Sequence, residues 1–574
     1  MIYALYIPYI YMHLLFEYFF IFFQILIISI FISGCGFLLK KVIFKIDQKE
    51  SFEDNGLWGF LLISFISLLV NFFLPLSIYI NTVIFITISL MIVRFNFFNQ
   101  SKKKLFKYSF LVSLLSFVLI LHSNVNMPDA HLYHLPYSKL INESKILIGS
   151  VNLHHRFAHI SIFQYVSSFF YNVFFNKNGL LIPISLLTSF FLIYLYKEYK
   201  LLFKSLTQRV NSIIVFLILI ISIYSFNRYS NFGNDAQAHI YYFLLIVYLF
   251  KDNFNYKDNI LIKKIYILSI FTFLLKPFYI FTLIIPLSFF LINGNYKYFF
   301  KSLSFLFAFI FSFMWFLKNL LVSGCLVYPV TFTCFKIFSW TTLKNIEKQN
   351  LLGEAMSKSW QYRIDKTIIM QDYVDNFEWL NTWYSVHLNI VAEKLIPVLI
   401  FIFLMIVFFY FFNLLKINEQ KKINIVVWLF LIASFLGSLV WFLKFPTYRY
   451  GYSYLYSFLI IVLYIFIFSK LNAIKLASCK KYLHILMIIS FFGLTFKNLN
   501  RISKKIDDPI LPNMFDNTIY KNKSKKIFND DGIFTHFIMK DGSLCGYTSS
   551  PCTNRNPEIK VKNVKGYTVY YNPF

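Results

Sequence analysis

The sequence predicts an all-α polytopic membrane protein, and three observations carry that expectation. Of 574 residues, 58% are hydrophobic, 21% aromatic and only 14% charged, with a mean hydropathy of +0.61. A set of water-soluble domains would need far more charged surface to cover such cores. The apolar residues fall in runs close to the ~20 that a helix needs to cross hydrocarbon. Lysine and arginine gather in short clusters between those runs, as they do in cytoplasmic loops of membrane proteins. The net charge of +29 is thus assigned to topology and anionic lipid, not to nucleic acid.

Taken in order, candidate crossings lie near 5–39, 57–73, 77–94, 107–121, 180–196, 211–227 and 238–250. Others follow near 263–276, 277–294, 300–317, 395–415, 424–443, 451–469 and 481–496, about fourteen in all by length and apolarity. The first run is long enough for two helices and lacks the basic start of a cleavable signal. Basic clusters at 40–45, 94–107, 197–209, 251–264, 297–301, 416–422 and 470–481 are expected in the cytoplasm. The connections 122–179, 228–237, 318–394 and 445–451, with everything from 497 onward, then face outward.

This divides the chain into N-terminal transmembrane helices (1–121), an outer loop (122–179), transmembrane helices (180–317), a long outer loop (318–394), transmembrane helices (395–496) and an extracytoplasmic tail (497–574). The localisation implied is a plasma membrane, with the loops of interest outside the cytoplasm. Residues 160–176, ISIFQYVSSFFYNVFFN, place Ser161, Gln164, Ser168 and Asn172 at helical spacing, so they read as a juxtamembrane amphipathic helix. An ordinary span is the competing reading. The tail reads as a small appendage and closes on VKGYTVYYNPF, which alternates like a strand.

Six of the eleven histidines lie between His122 and His159, around a single aspartate, Asp129. An N-cap explains a lone Asp after Pro128, but not these neighbours. His131 and His134 share a helical face, and His154, His155, Arg156 and His159 form a second cluster. Two chemistries remain open. Asp129 and some imidazoles bind a divalent cation, or Asp129 is a general base while Arg156 and its neighbours hold a phosphate.

Asp235 is a second outer acid, with a cap for the helix after it as the plainer role. Lys276, Lys318 and Arg449 are cations near the outer leaflet, where a charge against hydrocarbon costs about 3 kcal/mol and is a functional candidate; for Lys318 a snorkelling role stands beside it. Cys545 and Cys552 are spaced for a small-loop disulfide, and Cys325 and Cys334 could pair likewise. For each pair, two unrelated thiols are the alternative. No Walker loop, dinucleotide fingerprint, HExxH or zinc-type cysteine pattern occurs.

The motifs PDAHLYHLP, NLHHRFAHIS, WFLKNLLVSGCLVYP, FPTYRYG and CGYTSSPC, in that order, resemble those of a bacterial branch of the GT-C superfamily of integral-membrane glycosyltransferases. The resemblance runs from about Phe110 to the end of the chain. It implies a GT-C-like fold and transfer of a sugar from a polyprenyl-phosphate-type carrier to an extracytoplasmic glycan, lipid or protein. It also implies that Asp129 stands at the catalytic acidic position and Asp235 at the second outer-loop acid. His131 and His134 join the catalytic candidates; Arg156, Lys276, Lys318 and Arg449 are those for the donor phosphate. The chain departs from many relatives in having Ala130 and His131 where a second acid would follow Asp129, which leaves a divalent cofactor open. A lipid-linked glycan polymerase or ligase, and a transporter or flippase, are the rival expectations. A transporter would place acids at mid-membrane, whereas the acids here are expected at outer edges.

Overall fold

The computed structural model of this chain describes residues 2–46, 51–99, 102–123, 128–159, 161–225, 232–233, 235–255, 257–293, 300–415, 423–511, 524–528, 534–539, 544–554, 557 and 559–572. The protein is a bundle of helices with two small sheets at one end.

Each apolar segment singled out in the sequence is helical, from Ile2–Leu39 to Lys480–Ser503. Among the described residues, 7 helices are long and apolar enough to cross a membrane, and the protein is membrane-embedded. Others, such as Ile78–Arg94, Arg209–Tyr224 and Asp235–Lys251, stop short of that length. Asp235–Lys251 is buried nearly throughout, so protein rather than lipid surrounds it. The first apolar run is one helix, Ile2–Leu39, continued by a π-turn over Lys40–Phe44, and not two. It packs backbone to backbone on Phe52–Phe73. A Cβ on Gly36 would stand 1.8 Å from the Asn55 carbonyl oxygen, and one on Gly59 would stand 1.9 Å from that of Ile32. Small residues are what permit such an approach between membrane helices.

The connections sort to two ends. At the basic end, Ser304 Oγ donates to the Ile43 carbonyl, Arg209 Nη1 to that of Ala473 at 2.6 Å and Asn424 Nδ2 to that of Phe254, while Lys41 lies over the Phe95 ring. The segment 416–422 lies outside the described residues. At the other end, Leu76 N–H donates to Ile141, His122 N–H to Ile510, Gly149 N–H to Leu321 and Trp383 Nε1 to Pro446.

Three expectations need correction. Residues 160–176 hold only the short helix Phe163–Phe169, buried on every face. Its polar residues point into protein and not into a membrane interface: Gln164 bonds His134 and Ser138, and the Ser168 carbonyl accepts from Asn81 and Asn142. The segment 318–394 is shorter as a connection than expected, because the flanking helices Leu303–Ser323 and Trp379–Phe411 enter it from both sides.

The tail, finally, is no appendage. Its first residues finish the helix Lys480–Ser503. A three-stranded sheet then pairs Ser524–Phe528 with Phe534–Met539 antiparallel, and the latter with Cys552–Thr553 in parallel. Lys560–Val564 and Tyr567–Tyr571 form a hairpin whose two turn residues, Lys565 and Gly566, both have positive φ, the backbone twist that suits a tight hairpin. These strands dock on the connection 122–179: Val569 bridges Ile148, Tyr547 Oη donates to Asn142, and Gly546 N–H donates to the His131 carbonyl. Disulfides join Cys545 to Cys552 and Cys325 to Cys334, both at this end. Cys35 and Cys479 are free thiols.

Candidate functional site

Five charged residues from five separate stretches meet at the end that carries the sheets. Asp129 opens the π-turn Ala130–His134 but does not cap it, since its side chain makes no capping hydrogen bond. Its Oδ1 instead accepts from Arg156 Nη1 at 2.6 Å, and Arg156 comes from the 3-10 turn His155–His159. Asp235 is the first residue of Asp235–Lys251, where the helix dipole favours an anion. Its Oδ1 takes Lys276 Nζ at 2.6 Å. Lys276 follows the C-terminus of Asn259–Leu275, where the dipole favours a cation.

Arg449 joins the two pairs. Its Nη1 is 3.7 Å from Asp129 Oδ2 and its Nε is 3.9 Å from Asp235 Oδ2. It sits in the first turn of Tyr448–Phe466 and not in the connecting turn before it. The dipole disfavours a cation there, so the two carboxylates are what stabilise it. Three cations facing two carboxylates leave one positive charge over, in a cluster only partly open to solvent.

Aromatic residues that sequence reasoning missed shape this cluster. Tyr450 accepts from Arg449 Nη2 at 2.9 Å, and its ring centre lies 4.1 Å from Lys276 Nζ. Arg156 lies over Tyr133 at 5.0 Å. Behind Arg449, His239 bonds the Arg449 carbonyl and Ser453 Oγ, each at 2.9 Å, and the Tyr279 hydroxyl at 2.6 Å. The TYRYGY repeat around Arg449 was the available signal for Tyr450; nothing in the sequence marked His239 or Tyr279.

The other candidates fall elsewhere. His131 and His134 do not present one face, because a π-turn spaces residues differently from an α-helix. His134 is buried and bonds Gln164 through Nδ1 at 3.1 Å. Burial lowers its pKa to about 4, against the pull of Asp129 and Asp235 nearby. The His131 carbonyl holds the tail. His122, although only seven residues before Asp129, bonds the Tyr18 hydroxyl and the Asp508 carbonyl instead. Lys318 is buried in Leu303–Ser323 and donates to Asn319 Oδ1 at 2.9 Å. Among the described residues it makes no ion pair with either acid.

A divalent cation does not fit this donor set. Each carboxylate already holds a protein cation at 2.6 Å, and among the described residues no three His, Cys, Asp or Glu gather.

A second ionic group, also missed, lies at the basic end. Asp54 pairs with Lys40, Glu53 with Lys197 at 2.5 Å and Glu198 with Lys251 at 2.8 Å. All three acids are buried.

Fold and geometry together define a helical membrane protein with a net-positive cluster of cations and carboxylates at one end. A family model described as "Domain of unknown function (DUF8201)" matches residues 19–456, and the chain belongs to that family. No curated protein and no solved structure matches it. The matched span includes all five charged residues of the cluster; the sheets lie beyond it.

Proposed function

We propose that the protein is a GT-C-type membrane glycosyltransferase that moves a sugar from a polyprenyl-phosphate-type donor to an acceptor outside the cytoplasm, in cell-envelope glycan synthesis. The observation that carries this reading is Arg449. Its contacts to Asp129 and Asp235 are long, whereas the Arg156 and Lys276 pairs are short. A guanidinium loosely held between two acids is the cation free to turn toward an arriving phosphate, which it can bind through two N–H groups at once.

In that reading Asp129 is the base. It takes the proton of an acceptor hydroxyl as that oxygen bonds to the anomeric carbon. The bond from that carbon to the phosphate oxygen breaks, and the phosphate leaves with the electron pair. Arg449 and Lys276 stabilise the negative charge as it develops, and Arg156 holds the Asp129 carboxylate in place. Lys318 drops out of the donor set, and His131 and His134 act as scaffold and not in catalysis. The prenyl chain would lie along the apolar helices.

The fourteen helical segments would each cross or re-enter the bilayer in turn, with the basic end in the cytoplasm. Two disulfides at the cluster end and a free Cys479 at the basic end support that orientation, because disulfides persist outside the cytosol. The test is the surface glycan of a strain lacking the chain. We expect one sugar residue to be missing, restored by the wild-type chain and not by Asp129→Asn. An unchanged glycan would contradict the proposal.

A transporter is the second reading, favoured by the buried acids Glu53, Asp54 and Glu198. Each is already ion-paired, and Asp54 also accepts from Tyr248 Oη, which suits bolts between helices better than a transport path.

A further inference from the structure

A cleft of about 450 Å³ opens beside the charged cluster, within the size range of small-molecule sites. Four stretches wall it: the loop 151–155, the connection at Tyr328, the segment from Thr342 into the first turns of Leu343–Ser357, and the tail near Ile559 and Asn572. Stacked rings tie it to the acid. His155 stacks on His154 with centres 4.9 Å apart, His154 stacks on Tyr133, and Tyr133 carries the guanidinium that grips Asp129. We propose that this cleft is the acceptor subsite and that it takes a saccharide; the assignment rests on the transferase reading above.

The lining chemistry selects the ligand class. Among the described residues Lys348 is the one formally charged side chain that lines it, a lining that suits an uncharged ligand better than a phosphate-rich one. Four carboxamides line it, those of Asn152, Asn345, Gln349 and Asn572. Those of Asn345 and Gln349, on the helix, offer a donor and an acceptor side by side, as a pair of neighbouring sugar hydroxyls does. Thr342, Asn345 and Gln349 recur at three and four residues, so one face of the helix presents them together. Tyr328 adds an aromatic surface of the kind that packs the apolar face of a sugar ring.

The walls are fixed to one another. Asn152 Nδ2 donates to the Trp340 and Tyr570 carbonyls at 3.0 and 3.2 Å, which ties the loop before Arg156 to the residues just ahead of Thr342 and of Asn572. The tail thereby acquires a role, since residues beyond the matched family span build one side of the cleft.

The test uses the full chain in lipid nanodiscs with four neutral hexasaccharides as probes: cellohexaose, chitohexaose, maltohexaose and mannohexaose, with a hexapeptide of Ala and Ser as control. At least one saccharide should bind the wild type. Binding should fall tenfold or more in Asn345→Ala/Gln349→Ala, and also in the isosteric Gln349→Glu should the double variant fold poorly. Binding by no saccharide, binding insensitive to these changes, or preference for the peptide would overturn the assignment. Failure of the transferase reading looks different: saccharide binding would persist while the wild type transferred no sugar from polyprenyl-linked donors.

Discussion

Asp129 and Asp235 share one guanidinium: Arg449 places Nη1 3.7 Å from the first and Nε 3.9 Å from the second. Each acid also has a closer cation of its own, so removing Arg449 leaves both carboxylates paired. Arg449→Ala should therefore insert and fold normally and raise the KM for the lipid donor about 10- to 100-fold, as expected from losing about 1.5–3 kcal/mol of charge-assisted hydrogen bonding. Arg449→Lys, which keeps the charge without the two-pronged contact, should recover part of that loss. A KM unchanged in Arg449→Ala would contradict the phosphate role.

Orientation is open to a sided labelling experiment. Asn345 and Lys475 are exposed at opposite ends. With a membrane-impermeant maleimide, Asn345→Cys should label in intact cells and Lys475→Cys only after permeabilisation. The reverse pattern would put the cluster in the cytoplasm.

The dock between tail and loop turns on Gly149. It adopts φ +68, and a Cβ there would stand 2.0 Å from the Tyr570 carbonyl oxygen and 2.7 Å from Trp340 Cβ. Gly149→Ala combines backbone strain with a clash against main chain, and should destabilise by about 1–3 kcal/mol. Thermal unfolding in detergent, followed beside proteolysis of the tail, measures it; an unaltered melting temperature would contradict the packing.

Acid should loosen the same region. His134 is neutral when folded because burial lowers its pKa to about 4, whereas an exposed histidine titrates near 6.5. Between those values the unfolded chain binds the extra proton, so stability is full above about pH 6.5 and is lost as pH falls toward 4. The total for this group is about 3 kcal/mol by linkage. His134→Gln should flatten that part of the stability–pH curve, and an identical curve would show that His134 does not titrate as described.

The positions of the helices were legible in the sequence because apolar runs and basic clusters are local signals. The members of the cluster were legible in kind: Arg156 stood in the histidine-rich stretch, Asp235 as a second acid in a connection, and Lys276 and Arg449 as cations beside hydrocarbon. Their pairing was not. It depends on how five stretches distant in sequence converge, and no periodicity records that. The same holds for Tyr450, for His239 and for Glu53, whose burial follows from packing between helices and not from its neighbours in the chain. The segment 160–176 misled because amphipathic spacing has the same signature whether the polar face meets water or, as for Gln164 and Asn172, buried hydrogen-bonding groups. The tail misled by its polarity, which serves the dock on the loop and the wall of the cleft.

The central claim is that the Asp129 carboxylate performs chemistry on a lipid-borne sugar. Its most direct measurement is turnover in proteoliposomes that contain the purified chain and polyprenyl-linked sugars extracted from membranes of the deletion strain. The wild type should consume one donor and release its polyprenyl phosphate, while Asp129→Asn, inserted and folded alike, should consume none. Equal turnover by the two proteins would contradict the account.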